Sequence, residues 1–168
     1  MNERTDYNLL LRQMEGFLET DPTFLPALSN ASALLMTSLQ EINWAGFYLR
    51  RNDVLVLGPF QGNPACIHIA WGKGVCGTAA REGCTLRVDN VHEFPGHIAC
   101  DSASRSEIVI PLRDRITGEV MGVLDIDSPV HSRFDEEDQK GLEAFAQLLE
   151  RKLEDLGKYA GSPIISGS

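Results

Sequence analysis

Apolar residues in the first forty positions recur at helical spacing. Leu9, Leu10, Phe17 and Leu18 mark one predicted helix, and Leu28, Ala31, Leu35 and Leu39 mark a second. Between them, Asp21-Pro22 predicts a new start: Asp21 can accept from free amides at a helix N-terminus, and Pro22 suits the first helical position. Pro26 leaves open where the regular helix begins. From Trp44 the pattern turns extended, over residues 44–50 and 54–61, with Arg51-Asn52-Asp53 as a hairpin turn between two antiparallel strands. After Asn63-Pro64, a short segment over residues 66–69 leads through Gly72-Lys73-Gly74 into residues 75–81. The small side chains there permit a short helix with Cys76 near its beginning.

Residues 89–105 contain Pro95, Gly96, two histidines, Cys100 and serines without sustained periodicity, and are expected to form the active loop. Two further strands follow, over 107–112 and 119–127, joined near Thr117-Gly118. The chain then turns helical from Phe134, with Leu142, Phe145, Leu149 and Leu156 as its buried stripe. Asp135, Glu136, Glu137 and Asp138 crowd that helix's start, where the dipole favours negative charge, so the acidic run needs no functional reading. Gly157 is expected to end the helix, with a single domain over residues 1–157 and a flexible tail over 158–168.

Composition narrows the function classes. A chain of 168 residues suits one domain, burying roughly two thirds of the surface its unfolded form exposes. With 24 acidic against 15 basic residues, a net charge of -9 repels phosphate backbones and anionic lipids, so neither nucleic acid nor a membrane is an expected partner. The polar N-terminus and the lack of a long apolar run point to the cytoplasm. Thiols stay reduced there, which disfavours structural disulfides, and Cys66, Cys76, Cys84 and Cys100 form no Cys-x-x-Cys pair that would suggest a zinc knuckle. No metal is expected.

Several segments occur together and in order: Asn43-Trp44-Ala45-Gly46-Phe47-Tyr48, Leu57-Gly58-Pro59-Phe60-Gln61-Gly62, Gly72-Lys73-Gly74-Val75-Cys76-Gly77, Gly96-His97-Ile98-Ala99-Cys100-Asp101 and Gly122-Val123-Leu124-Asp125-Ile126-Asp127-Ser128. On these the chain closely resembles the free methionine-(R)-sulfoxide reductases, from about residue 20 to residue 155. The resemblance implies an α+β, GAF-like fold with a central antiparallel sheet flanked by N-terminal and C-terminal helices. It implies an oxidoreductase acting on the R epimer of the free amino acid, with a homodimer as its compatible assembly. Cys100 matches the catalytic cysteine, Cys66 and Cys76 match the other two functional positions, and Cys84 matches none.

The residues suit that chemistry. Reducing a sulfoxide takes a soft nucleophile for sulfur and a proton for the departing oxygen, which a thiolate beside an acid supplies. Attack leaves Cys100 as a sulfenic acid, which condenses with a second thiol. Of Cys66 and Cys76, Cys66 is favoured as the resolver because its segment is irregular. An outside dithiol such as thioredoxin then reopens the disulfide, and no cofactor is called for. Asp125 and Asp127 share one strand face, away from Leu124 and Ile126, and Glu107 on the neighbouring strand could complete a carboxylate cluster. Crowding would keep one of the three protonated, which one being open. Trp44, Gly46 and Tyr48 also share a face, with Gly46 leaving a slot for the sulfoxide methyl group.

Each feature has a plainer reading: a solvated acidic rim, core aromatics, and cysteines that are buried small hydrophobes, as expected of Cys84. His92 and His97 are expected to stabilise the loop, while Ser102, Ala103 and Ser104 could offer amides to a carboxylate. Two rival functions stand beside the enzyme: a GAF module that binds a small molecule without turnover, and a thiol-redox sensor that uses Cys100 as a switch.

Overall fold

The structure, a computed structural model, describes residues 3–97 and 102–157; Cys100 and the expected tail over 158–168 lie outside that set. Two helices lead, α1 (Tyr7–Thr20) and α2 (Phe24–Ser38), followed by β1 (Trp44–Arg51), β2 (Val54–Gly62) and β3 (His68–Ala70). Helix α3 (Gly74–Glu82), β4 (Leu86–Val88), β5 (Ser106–Arg113), β6 (Val120–Ser128) and α4 (Glu136–Lys152) complete the order. All strand pairs are antiparallel, in the order β3-β2-β1-β6-β5-β4. This is the α+β arrangement the sequence predicts. Asn52 turns the β1–β2 hairpin with a φ of 55°, a left-handed conformation that asparagine tolerates well.

Alternation along the strands sorts side chains onto two faces. Ala45, Phe47, Leu49, Ile108, Ile110, Leu124 and Ile126 point to one, where they pack under α1, α2 and α4 through Leu10, Met14, Leu28, Leu35, Leu142 and Phe145. The opposite face is smaller. There Trp44, Tyr48, Leu55, Ile69, Val109 and Val123 meet α3 through Val75, Cys76, Ala79 and Ala80. The large core makes the sheet rigid, and the second face carries the chemistry.

Several expectations need correcting. Helix α2 begins at Phe24 rather than Pro22, because Asp21 Oδ1 accepts from the Thr23 amide at 2.9 Å and closes a turn ahead of the helix. Pro26 then falls in the first turn, where its missing N–H costs no helical bond. Helix α4 stops at Lys152, so Gly157 does not end it, and the buried Leu156 reaches the core from beyond the helix. The two three-residue strands, β3 and β4, are too short to show as alternation. Residues 91–93 of the expected loop form a single 3-10 turn capped by Asn90, with Val91 buried. At the start of α4, Asp135 and Asp138 close a capping box, and Asp138 also accepts from Tyr7 Oη at 2.6 Å and Arg133 Nη1 at 3.1 Å. The acidic run is thereby accounted for by helix capping and by tethering α1 to α4.

Candidate active site

Three adjacent strands deliver the site residues to the face covered by α3. In register, Trp44 lies opposite Asp127 and Gly46 opposite Asp125, while Asp127 in turn lies opposite Glu107. Paired positions point the same way, so aromatics and carboxylates share one surface. Above it, the first turn of α3 brings Cys76 down, with its Sγ donating to Glu107 Oε1 at 3.8 Å. One oxygen from each of Glu107 and Asp125 and the Cys76 sulfur lie within 4.8 Å of one another. These three side chains are buried, Glu107 being 7% exposed, Asp125 5% and Cys76 4%. An acidic rim in water does not describe them.

Burial disfavours charge, and it pushes the Glu107 carboxyl well above the ordinary glutamate range; the negative charges of Asp125 and Asp127 raise it further. Asp125 is pushed up by the same burial, but hydrogen bonds from Glu107 and Cys76 offset part of the effect. Burial therefore favours the neutral form of both carboxyls, which lie close enough to share a proton. Burial first, then Asp125 and Glu107, drive the Cys76 thiol well above its usual range, so it stays a neutral S–H donor. Asp125 Oδ1 is buried without a hydrogen-bond partner among the described residues. Such an orphaned acceptor is uncommon in a folded protein and suits a donor brought by a ligand.

The aromatic pair is arranged differently from the predicted slot. Trp44 and Tyr48 do converge, with ring centroids 5.9 Å apart and planes inclined by 21°, so the rings lie against each other rather than on either side of a gap. Phe60 also stacks on Trp44, with ring centroids 5.2 Å apart. The space beside Gly46 is filled: a Cβ there would sit 2.3 Å from Phe60 Cβ. Between the pairs Gly46–Phe60 and Tyr48–Leu57, β2 carries one residue more than β1, a bulge at Gly58-Pro59 that turns Phe60 inward. Gly46 thus makes room for Phe60 against Trp44, while Trp44 and Tyr48 line the cleft.

Both aromatics also reach sideways with their polar atoms. Trp44 Nε1 donates to the Asn63 carbonyl at 3.1 Å, and Tyr48 Oη donates to the Cys66 carbonyl at 2.9 Å. They grip the segment that carries Cys66, which has no regular secondary structure and holds its cysteine half-buried. Cys66 is disulfide-bonded, whereas Cys76 and Cys84 are free thiols. Cys84, expected as a buried structural cysteine, is exposed on the turn after α3, its sulfur 3.8 Å from Glu82 Oε2.

Trp44, Tyr48, Cys76, Glu107, Asp125 and Asp127 line a cleft of about 520 Å³, counting the solvent at its mouth, together with Ile69, Lys73, His97 and Ser104. His97, expected chiefly to stabilise the loop, is on the cleft wall; partial burial and then the neighbouring His92 lower its affinity for a proton. Ser104 is buried and accepts from Asn43 Nδ2 at 3.3 Å. Lys73, which precedes α3, is not among the predicted site residues, although its place between two glycines ahead of a helix start is a readable signal. A set of carboxylates beside an aromatic floor, with a lysine and a helix N-terminus on the same cleft, suits a small zwitterion with an apolar side chain.

An antiparallel sheet with helices on both faces and a small-molecule cleft under the α3 face is the architecture of a GAF domain, and the model of the GAF domain family matches residues 13–153. Among curated proteins, the free methionine-R-sulfoxide reductase of Escherichia coli strain K12 is 50% identical over 91% of this chain and 92% of its own. That of Saccharomyces cerevisiae is 41% identical over 90% and 87%. A solved structure of Staphylococcus aureus fRMsr in its reduced form superposes with a TM-score of 0.86 at 49% identity, covering 92% of this chain and all 100% of that one. The free methionine-R-sulfoxide reductase of Neisseria meningitidis, solved in complex with its substrate, gives a TM-score of 0.86 at 40% identity, with 95% of each chain covered. The chain belongs to the GAF-domain family and, within it, to the free methionine-R-sulfoxide reductases. Among the described residues no helix is long and apolar enough to cross a membrane.

Proposed function

We propose that this protein reduces free methionine-R-sulfoxide to methionine with Cys100 as nucleophile and Glu107 as proton donor. The observation that carries this reading is the buried trio of Glu107, Asp125 and Cys76 beside the Trp44 and Tyr48 rings, all lining one cleft. Asp125 and Asp127 take the substrate ammonium, Asp125 Oδ1 supplying an open acceptor. Lys73 and the first amides of α3 receive the carboxylate. The thioether chain lies on Trp44 and Tyr48. Because both charged ends of the free amino acid are used, a methionine within a peptide lacks the groups the cleft recognises.

The Cys100 thiolate attacks the sulfoxide sulfur while Glu107 protonates its oxygen. Two electrons pass to the substrate, the S–O bond breaks, and Cys100 is left as a sulfenic acid as methionine departs. The Cys66 thiol then attacks that sulfur, releasing water and forming a disulfide. The disulfide bond at Cys66, with Cys76 and Cys84 free, supports Cys66–Cys100 as this product state and Cys66 as the resolver. Cys76 acts as a neutral thiol that holds Glu107 in place. Thioredoxin restores both thiols, consistent with a cytoplasmic, reducing setting; no metal takes part. We infer a single catalytic domain over residues 1–157 that pairs as a homodimer.

The test is an NADPH-coupled thioredoxin assay with four substrates: each epimer of the free amino acid, and each epimer in an N-acetylated, amidated peptide. Turnover of the free R epimer alone is expected. Binding of that epimer without methionine release would mark a ligand-sensing module, and faster oxidation by peroxide than by the amino acid would mark a thiol sensor.

A further inference from the structure

In a chain of net charge -9, residues 54–72 contain no Asp, Glu, Lys or Arg, and Cys66 lies within this stretch. Much of it is at the surface: Asn63, Pro64, Ile67 and His68 are exposed, Ala65 and Cys66 half-buried. Ile67 is 65% exposed, next to the disulfide-bonded Cys66, while Ile69 two residues on is buried against α3. The Ile67 carbonyl accepts from the Leu57 amide at 2.9 Å, so the backbone is fixed against β2, and β3 lies at the edge of the sheet. A lone exposed isoleucine is ordinary. An exposed isoleucine on an uncharged, backbone-anchored surface that also carries a redox-active sulfur is placed where another protein's sulfur must arrive.

We propose that the uncharged surface around Ile67, with Asn63, Pro64 and His68, is the docking face for a protein dithiol reductant of the thioredoxin type, which attacks at the Cys66 sulfur. This rests on the function proposed above. The reductant's thiolate displaces Cys100 as thiolate and forms a mixed disulfide with Cys66. Its second thiol then attacks its own sulfur in that bond, releasing Cys66. The reductant leaves as a disulfide, its two electrons and two protons having restored both enzyme thiols. A thiolate must come within bonding distance of a half-buried sulfur, so the surrounding surfaces make contact whichever protein brings it. Contact with an uncharged face strips water from no ionised group on this side.

The test compares two reductants on the Ile67→Asp variant of the full chain. With thioredoxin, kcat/KM for the reductant should fall about tenfold, equivalent to about 1.4 kcal/mol, through a raised KM. With dithiothreitol, which needs no docking face, turnover of free methionine-R-sulfoxide should match the parent. The molecular mass in solution should not change. An unchanged thioredoxin kcat/KM overturns the proposal. So does equal slowing with both reductants, which would make Ile67 a support of the Cys66 segment, and so does a halved mass, which would make the face a contact between two copies of this chain. Failure of the parent to turn over with dithiothreitol would instead refute the proposed function, so the two failures are distinguishable.

Discussion

Replacing Glu107 by glutamine tests the site most sharply, because the change keeps the size and one donor of the side chain while removing the exchangeable proton. Glu107 is buried, faces Asp127 across the β5–β6 pair and has its carboxyl pushed well above the ordinary glutamate range. In the folded protein it retains a proton that the unfolded chain releases, so folding takes up that proton. Stability contributed by this group is therefore present below about pH 4.3, the ordinary glutamate value, and declines as pH rises toward the folded value, by at most about 1.4 kcal/mol per pH unit. The Glu107→Gln substitution removes that slope, and urea unfolding between about pH 5 and 8 should show the variant gaining on the parent as pH rises. Catalysis should move the other way. Loss of a positioned proton donor costs roughly 100- to 10,000-fold in rate, so kcat should fall by at least about 100-fold, and the alkaline limb that reports the donor's ionisation should disappear. Parallel stability curves for parent and variant, or a kcat within about threefold of the parent, would refute the assignment of the proton to Glu107.

Cys76 should resist alkylation in the folded, reduced protein, because its thiol is buried and held neutral; labelling at native pH, read by mass spectrometry, should reach Cys84 well before Cys76. Cys76→Ser should keep turnover within a few-fold, since a hydroxyl can still donate to Glu107, whereas a loss as deep as that of Cys100→Ser would make Cys76 a redox participant. Gly46→Ala should destabilise by about 1–3 kcal/mol in urea unfolding, a cost typical of overpacking, because the added Cβ meets Phe60 Cβ at 2.3 Å with β2 backbone close behind. An open slot at that position would instead tolerate alanine and show the change only as a raised KM.

The sheet and its flanking helices were legible because most elements are long: α1, α2 and α4 each bury one stripe, and β1, β2, β5 and β6 are extended, largely apolar runs bounded by turns. The parity of Asp125 and Asp127 and the neighbouring Glu107 were readable for the same reason. What escaped depends on register and on contacts far along the chain. Phe60 fills the space at Gly46 because β2 bulges, which no one-strand pattern reveals. The thiol of Cys76 meets a carboxyl thirty-one residues later, and Trp44 and Tyr48 hold the Cys66 segment through carbonyls, which any residue type offers. Burial was the decisive missing quantity, since it raises the proton affinity of Glu107 and Asp125 together.

The most direct test is a single turnover in the absence of any reductant. Reduced protein mixed with one equivalent of free methionine-R-sulfoxide should release one methionine per chain and lose two thiols, and peptide mapping should find Cys66 joined to Cys100 with Cys76 and Cys84 still free. Methionine release with a bridge through Cys76, or complete loss of the sulfoxide in a Cys100→Ser variant, would contradict the account.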